Sequence, residues 1–237
     1  MTYLKTLLMA SALVVTAFSA QAAGSSVELP KQDWGFKDAN FQWDKKELMR
    51  GYEVAKNVCL ACHNFDYFKH RNLQEIGFSE EEAKFLAKDL ELKVGDSMKS
   101  PLTAEDAVAA YAKELPDLSM MVRARPGGAD YVYALLTGYE ETPEGTEIPD
   151  TAYYNKYYPG HAIAMPAPLT QGGQIDFWDE SESSIEDMAR AVTYFMAWTA
   201  EPEMEQRQRT GTFALIYLFI LAGLLYAIKR RIWKDLH

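Results

Sequence analysis

Apolar residues recur at three- and four-residue spacing in five stretches of the 237-residue chain, a spacing typical of helices that bury one face. Four of these stretches begin at a residue that can cap a helix, with an acidic residue three positions further on. The four pairs are Asp44 with Glu47, Ser79 with Glu82, Thr103 with Asp106, and Ser183 with Glu186. Strand signals are weak throughout, so the pattern predicts a mainly α fold.

Breaker residues predict where these helices end. The helix after Ser79 should reach about Val94, and the fifth stretch, residues 129–136, is closed by Gly138. Two further ends are marked by Pro116 and Pro202.

Gly51 lies inside the first predicted helix, where glycine is about 1 kcal/mol less favourable than alanine. We expect this glycine to let another helix cross closely. The helix after Ser183 is the best candidate for that crossing, because it has the strongest apolar face.

Three stretches show no helical period. Residues 24–41 predict an extended arm packed over the domain, and residues 64–78 predict an aromatic loop. Residues 139–168 contain five prolines. A loop of that length inside a compact domain is usually functional.

The two ends of the chain carry export and membrane signals. Lys5, the apolar run 7–20 and the small residues around Gln21 are typical of a signal peptide, cleaved after residue 22. Residues 212–228 contain no charged residue and, at about 1.5 Å per residue, nearly match the roughly 30 Å hydrocarbon layer of a membrane. Basic residues from Lys229 onwards follow this run. By the positive-inside rule they predict a single span with a cytoplasmic C-terminus.

The chain is acidic, with 24 Lys and Arg against 34 Asp and Glu and a formal charge of −10. This balance argues against nucleic acid as a partner, since phosphate binding needs a clustered basic surface. A basic protein is the natural complement. The acidic stretches 140–150 and 176–186 are candidates for its docking face, although acidic surfaces also serve solubility.

The only two cysteines lie in Cys59-Leu60-Ala61-Cys62-His63. This motif predicts covalent attachment of one c-type haem. Each thiol would form a thioether with a haem vinyl group, and the imidazole of His63 would lie under the iron. Residues 64–78 would then wrap the haem edge.

Three other uses of a cysteine pair fit the sequence less well. A thioredoxin-like redox pair would follow a strand and open a helix, whereas here a helical pattern precedes the pair. A zinc site needs further ligands, and His70, His161 and His237 show no paired ligand spacing. A disulfide across three residues would close a small, strained loop.

An electron-transfer haem keeps its iron six-coordinate, so a second axial ligand is expected. Met165 lies in a loop without helical period, and Pro166 restricts the backbone beside it. A methionine ligand would raise the reduction potential. His161 and the pair Met120 and Met121 remain alternatives at this point.

The chain resembles the cytochrome c1 family, the haem subunit of ubiquinol:cytochrome c oxidoreductase. Beyond the haem motif, the resemblance rests on Leu29-Pro30 through Trp34, Arg50-Gly51-Tyr52, Pro116-Asp117-Leu118-Ser119, the run from Arg123 to Tyr131, Leu136-Thr137-Gly138-Tyr139 and residues 155–168. It implies that Met165 is the sixth ligand. It further implies that Arg125 and Tyr131 neighbour a haem propionate.

The resemblance also implies the function. The chain would be one subunit of an oxidoreductase complex, quinol–cytochrome-c reductase, alongside cytochrome b. It would take an electron from the Rieske iron–sulfur protein and pass it to cytochrome c, within a dimeric complex. One alternative is a membrane-anchored c-type cytochrome of a terminal oxidase or a nitric oxide reductase. Another is an enzyme or gas sensor with an open iron position.

Together these predictions divide the chain into four parts. Residues 1–22 form a cleaved signal peptide, and residues 23–205 form a periplasmic, cytochrome c-like haem domain with long irregular loops. Residues 206–230 form a transmembrane anchor in lipid, and residues 231–237 form a cytoplasmic tail. The expected location is the bacterial inner membrane.

Overall fold

A computed structural model describes residues 27–36, 38 and 41–234. The predicted signal peptide, residues 1–22, lies outside the described residues. Within them the fold is mainly α, as the sequence predicts. The α-helices are α1 Lys45–Asn57, α2 Leu73–Ile76, α3 Glu80–Asp89, α4 Ala104–Tyr111, α5 Met121–Ala124, α6 Gly128–Thr137, α7 Ile185–Ala200 and α8 Met204–Trp233.

Short strands and 3₁₀ turns connect these helices. The antiparallel pairs are β1 Phe65–Lys69 with β2 Ser97–Met98, and β3 Tyr153–Tyr154 with β4 Ala162–Ile163. The 3₁₀ turns span Cys59–Ala61 and His70–Asn72.

The crossing of α1 and α7 forms the centre of the core, and it takes place at Gly51 as predicted. A Cβ added at Gly51 would lie 2.1 Å from the carbonyl oxygen of Ala191 and 2.6 Å from the Cβ of Phe195. Both distances are far below van der Waals contact, so a side chain at position 51 would push the helices apart. Helix α7 is buried at nearly every position beyond Met188.

Helix caps follow the predicted pairs with one correction. The Asp44 side chain accepts hydrogen bonds from the second and third residues of α1, and Ser79 forms a reciprocal capping box with Glu82. Helix α7 is capped one residue later than predicted, by Ser184 with Asp187. The sequence holds two overlapping serine–acid pairs here, and spacing alone does not choose between them.

Two helices end earlier than predicted. Helix α3 stops at Asp89 rather than near Val94, and Glu91 has a positive φ of 58°. Helix α4 stops at Tyr111, where Ala112 has a φ of 57°. A residue with left-handed backbone angles cannot continue a right-handed helix, so the chain changes direction at both positions.

Residues 64–78, predicted to be a loop, are mostly regular structure. They form β1, a 3₁₀ turn and α2, and the apolar side chains that lie in the core are Phe65, Phe68, Leu73 and Ile76. The pairing of β1 with β2 is irregular in register, which hides the alternation that would mark a strand.

The described part of the N-terminal arm packs over the domain as predicted. Trp34 is buried, and its Nε1 donates a 2.7 Å hydrogen bond to Oδ1 of Asp130 on α6. The backbone N–H of Gln32 donates to the same oxygen at 3.2 Å. The arm therefore joins the start of the chain to α6.

Helix α8 has the length and composition of a membrane span. It runs for 30 residues, and its most apolar window has a mean hydropathy of 2.2 with none of that window buried against the rest of the chain. It contains the predicted anchor, residues 206–230. Near its start, the Glu205 carboxylate accepts a hydrogen bond from the backbone N–H of Trp43 at 3.3 Å, which links α8 to the domain.

Candidate functional site

A cavity of about 1270 Å³ opens between the turn after α1, the segment before α5, helix α6 and the segment after β4. Its size exceeds the roughly 300–1000 Å³ of most small-molecule sites, and its walls are mainly apolar and aromatic. The cavity is lined by all six residues that the sequence singled out: Cys59, Cys62, His63, Arg125, Tyr131 and Met165.

The cysteine motif forms one tight turn on the cavity wall. The backbone N–H groups of Cys62 and His63 donate to the carbonyl oxygen of Cys59, at 3.1 and 2.9 Å. Leu60 is 4% exposed and points into the core, which leaves Cys59, Cys62 and His63 on the cavity side. Burial raises the pKa of the Cys59 thiol to about 12, so this thiol is neutral.

The structure contains no disulfide between Cys59 and Cys62. Among the residues that the structure describes, no group of three or more His, Cys, Asp or Glu side chains is placed to hold a metal ion. The zinc alternative thus has no ligand set in this part of the chain.

The imidazole of His63 is oriented by a backbone carbonyl. Its Nδ1 lies 2.8 Å from the carbonyl oxygen of Pro116. Because a carbonyl only accepts hydrogen bonds, Nδ1 carries the proton and Nε2 keeps its lone pair in the neutral ring. Burial lowers the pKa of His63, which favours that neutral form. Nε2 is thus available as a metal ligand.

The segment 116–119 runs beside the cysteine motif and fixes it further. Three backbone N–H groups bond across this seam: Leu118 to the Asn64 carbonyl at 2.9 Å, Tyr67 to Ser119 Oγ at 3.0 Å, and Asp66 to Asp117 Oδ2 at 2.7 Å. The carbonyl of Ser119 in turn accepts from Thr199 on α7 at 3.1 Å. We name residues 59–63 with 116–119 the histidine wall.

The other side of the cavity, residues 153–166, we name the methionine wall. It is built on the β3–β4 hairpin and organised by Asn155, which is completely buried. The Asn155 amide donates to the Leu135 carbonyl on α6 at 2.8 Å, and its side-chain oxygen accepts from the backbone of Tyr157 and Tyr158 at 3.0 and 3.1 Å. One side chain thus joins the wall to α6.

Met165 follows β4 by two residues and lines the cavity. The hydroxyl of Tyr139 donates to the Met165 carbonyl oxygen at 3.1 Å. Burial raises the pKa of Tyr139 well above its usual value, so the hydroxyl keeps its proton. Gly138, directly before it, allows close packing, since an added Cβ would lie 2.5 Å from the Tyr157 ring.

The other candidates for the sixth iron ligand differ in whether they line the cavity. His161 does not line the cavity; its ring stacks on Tyr154 with centroids 5.6 Å apart. Met120 is 41% exposed and also lies outside the lining. Met121 and Met196 do line the cavity, so three methionines of the described part of the chain border it.

Arg125 and Tyr131 lie together at the cavity rim. Burial raises the pKa of the Tyr131 phenol, and the neighbouring Arg125 charge opposes that rise. Within the described residues, Arg125 makes no ion pair, although it borders an apolar cavity. A cation in this position is suited to an anionic group at the cavity edge.

The acidic stretches and residues 64–78 do not line the cavity. Asp179, inside the second acidic stretch, instead pairs with Arg50 of α1 at 2.5 Å. Glu140, in the first, lies 3.6 Å from Lys156. Phe65, Phe68, Leu73 and Ile76 lie in the core instead, and that residues 64–78 wrap the edge of a bound group stays a prediction.

Three features of the site were not found from the sequence: the Pro116 carbonyl, the buried Asn155 amide and the Tyr139 hydroxyl. All three residues belong to segments that carry the family resemblance, but no periodicity or motif in the sequence shows what their side chains or carbonyls contact. Pro116 also predicts the end of a helix. Its role arises because its carbonyl faces a histidine 53 residues earlier.

A model of the Cytochrome C1 family matches residues 34–236. Cytochrome c1 of Rhodospirillum rubrum is 34% identical over 268 aligned residues, covering 99% of this chain and 98% of that protein. A mitochondrial cytochrome b-c1 complex catalytic subunit of Candida albicans is 34% identical, covering 94% and 83%. Cytochrome b/c1 of Bradyrhizobium diazoefficiens is 37% identical, and this chain spans 37% of that protein's length.

Proposed function

The chain belongs to the cytochrome C1 family, and from this membership we propose that it is the haem-bearing electron-transfer subunit of a ubiquinol:cytochrome c oxidoreductase. It accepts one electron from a Rieske iron–sulfur protein and passes one electron to a cytochrome c. No substrate atom needs to bond to the protein in this reaction. The task of the chain is therefore to hold the cofactor, set its potential and present its edge.

The observation that carries the proposal is the convergence of four ligating groups on one cavity. Cys59, Cys62, Met165 and His63, whose imidazole has an available Nε2, all line the same cavity. This donor set fits one covalently bound haem c. When bound, the haem supplies a one-electron couple at its iron.

Each residue has a separate role. Cys59 and Cys62 would form the two thioether links, and His63 would bind the iron through Nε2. Met165 would bind the iron through its sulfur, which would favour the reduced state and raise the potential. We choose Met165 over Met121 because a hairpin and Pro166 hold its backbone outside any helix, whereas Met121 opens α5.

The rim residues complete the site. Arg125 offers a guanidinium without a carboxylate partner in the described chain, and Tyr131 offers a protonated phenol beside it. Both suit a haem propionate, whose charge needs a partner when it is partly removed from water.

Helix α8 anchors this domain to a bacterial inner membrane. Its apolar run ends in Lys229, Arg230 and Arg231, which by the positive-inside rule lie in the cytoplasm. The cavity then lies on the periplasmic side, where c-type haem is attached and where a soluble or anchored cytochrome c is encountered. The net charge of −10 favours encounter with a basic acceptor. Cytochrome b is the expected membrane neighbour, in a dimeric complex.

The test is purification of the tagged full-length chain from its membranes in mild detergent. We expect b-type haem and a Rieske cluster to co-purify, and quinol to reduce the c-type haem in the isolated complex. Removal of the Rieske protein should abolish that reduction. Co-purification with a terminal oxidase or a nitric oxide reductase, without cytochrome b and a Rieske protein, would contradict the proposal.

A further inference from the structure

Tyr139 places its hydroxyl on the backbone of the proposed axial ligand. The phenol donates to the Met165 carbonyl oxygen at 3.1 Å, across 26 residues of sequence. Tyr139 comes directly after Gly138, the C-cap of α6. The hydrogen bond therefore connects the Met165 backbone to the end of a helix that also borders the cavity.

The backbone that carries Tyr139 is held by contacts that do not involve Met165. Tyr139 pairs with Asn155 in an antiparallel bridge, and the Gly138 carbonyl accepts from the backbone of Lys156 at 2.8 Å. The phenol thus projects from a rigid part of the fold. Its hydroxyl reaches across to a segment that has just left the hairpin.

Met165 has fewer restraints than the residues before it. Ile163 is buried and paired in β4, but the pairing ends there, and Ala164 follows outside the strand. Pro166 restricts the backbone after the methionine but donates no hydrogen bond. Among the described residues, the one hydrogen bond to the Met165 backbone beyond these restraints comes from the Tyr139 hydroxyl. We therefore expect this bond to help set the position of the Met165 carbonyl.

We propose that Tyr139 is a positioning residue for the sixth iron ligand, holding the Met165 backbone so that its sulfur stays on the iron. This inference rests on the proposed function, in which Met165 is that ligand. Tyr139 does not touch the iron. It acts by making the ligated arrangement of the methionine wall the lowest in free energy.

The substitution Tyr139→Phe keeps the ring and removes only the donor. Loss of one hydrogen bond of ordinary strength should increase the population with the sulfur off the iron about five- to tenfold. Carbon monoxide binds ferrous haem only where the axial position is vacated. Its apparent affinity is therefore proportional to that population.

The experiment is a carbon monoxide titration of the reduced, full-length protein in detergent, following the optical spectrum. Tyr139→Phe should raise the apparent affinity about five- to tenfold, and Met165→Leu should raise it much further. Tyr194→Phe is the matched control, because it also removes a hydrogen-bonded hydroxyl, one that accepts from the Asp44 backbone at 3.0 Å outside the cavity lining. It should leave the affinity unchanged.

The outcomes separate the two claims. If Met165→Leu raises the affinity and Tyr139→Phe matches Tyr194→Phe, the role of Tyr139 is overturned while the ligand assignment stands. If Met165→Leu itself changes nothing, the ligand assignment fails and the role of Tyr139 fails with it. A second variant, 4-aminophenylalanine at position 139, keeps a weaker N–H donor in case Tyr139→Phe does not assemble. Because a donor is kept, it should assemble and give an affinity near that of the wild type. An affinity as high as that of Met165→Leu in spite of the donor would overturn the proposal.

Discussion

Both walls of the cavity contain hydrogen bonds, but only the histidine wall also continues from the packed core. The histidine wall continues from the packed core, where α1 meets α7 at Gly51 and Leu60 is buried. The methionine wall is a segment outside the core helices, and hydrogen bonds from Asn155 and Tyr139 hold it in place. Apolar packing is distributed over many contacts, so the loss of one of them matters little. The methionine wall depends on a few hydrogen bonds, so the loss of one of them matters more. Damage to the core behind the first wall should unfold the domain, and damage to the second wall should release only a ligand.

The largest effect should come from Gly51→Ala. The new Cβ would collide with a backbone carbonyl of α7 at 2.1 Å, and a backbone atom cannot rotate away. We expect a loss of at least about 3 kcal/mol in the free energy of unfolding, above the usual range for overpacking. Thermal unfolding of the haem-loaded full chain, followed by circular dichroism, measures it.

Gly95→Ala is the control for this prediction. Nothing lies within 4 Å of a Cβ at Gly95, and its φ is not positive. Stability should be unchanged or should rise by up to about 1 kcal/mol, because alanine restricts the unfolded chain. Equal melting temperatures for both variants would show that the α1–α7 crossing does not hold the histidine wall.

A smaller and more local effect is expected from Asn155→Ala. The substitution leaves the half-buried Leu135 carbonyl and the Tyr157 N–H without their partner, and it leaves the Tyr158 N–H with only its 3.3 Å bond to the backbone carbonyl of residue 155. We expect a cost of about 2 kcal/mol, concentrated in the methionine wall. The near-infrared band from sulfur to ferric iron should disappear, while the covalent haem stays attached.

Asn57→Ala provides the comparison. Asn57 is exposed and makes one side-chain hydrogen bond, to the Glu53 carbonyl at 2.9 Å. Both the near-infrared band and the melting temperature should be nearly those of the wild type. If Asn155→Ala unfolded the domain as completely as Gly51→Ala, the two walls would form a single cooperative unit and the contrast would be lost.

The smallest effect should come from Arg50→Gln, which removes the ion pair between Arg50 of α1 and Asp179. Arg50 hydrogen-bonds to Asp179 and holds the pKa of that carboxyl well below its usual range. The stabilisation is therefore fully present above the unfolded pKa of about 3.9 and is lost as the pH falls through the folded pKa.

The check is denaturant unfolding of wild type, Arg50→Gln and Asp179→Asn as a function of pH. At neutral pH both variants should be slightly less stable than the wild type. The differences should shrink as the carboxyl becomes protonated in strong acid. A difference that stays constant with pH would mean that Arg50 acts through its packing on Phe177, 5.8 Å away, rather than through the ion pair.

The contrast between the walls also explains what the sequence could predict. Gly51 and the apolar face of α7 predict the core crossing because helical spacing records which side is buried. The cysteine motif predicts its own cofactor, because Cys59, Cys62 and His63 lie within five consecutive residues. These features belong to the histidine side, where local pattern and tertiary structure agree.

The remaining features depend on contacts between distant segments. Asn155 has no local mark as the organiser of a wall, because its partners lie on α6 and within an irregular loop. The sequence of β1 shows no strict alternation of buried and exposed positions, and its pairing with β2 is irregular, so no strand is predicted there. Two serine–acid pairs overlap at the start of α7, so spacing alone does not identify its cap. In each case packing selects among arrangements that the local sequence permits equally.

The most direct test of the account is near-infrared spectroscopy of the oxidised full-length protein as wild type, Met165→Leu and Met121→Leu. Both methionines border the cavity, so each variant controls for the other. The account predicts a sulfur-to-iron charge-transfer band in the wild type and in Met121→Leu. Met165→Leu should lack it, have a lower reduction potential and keep its covalent haem. A band that persists in Met165→Leu would contradict the assignment of the sixth ligand.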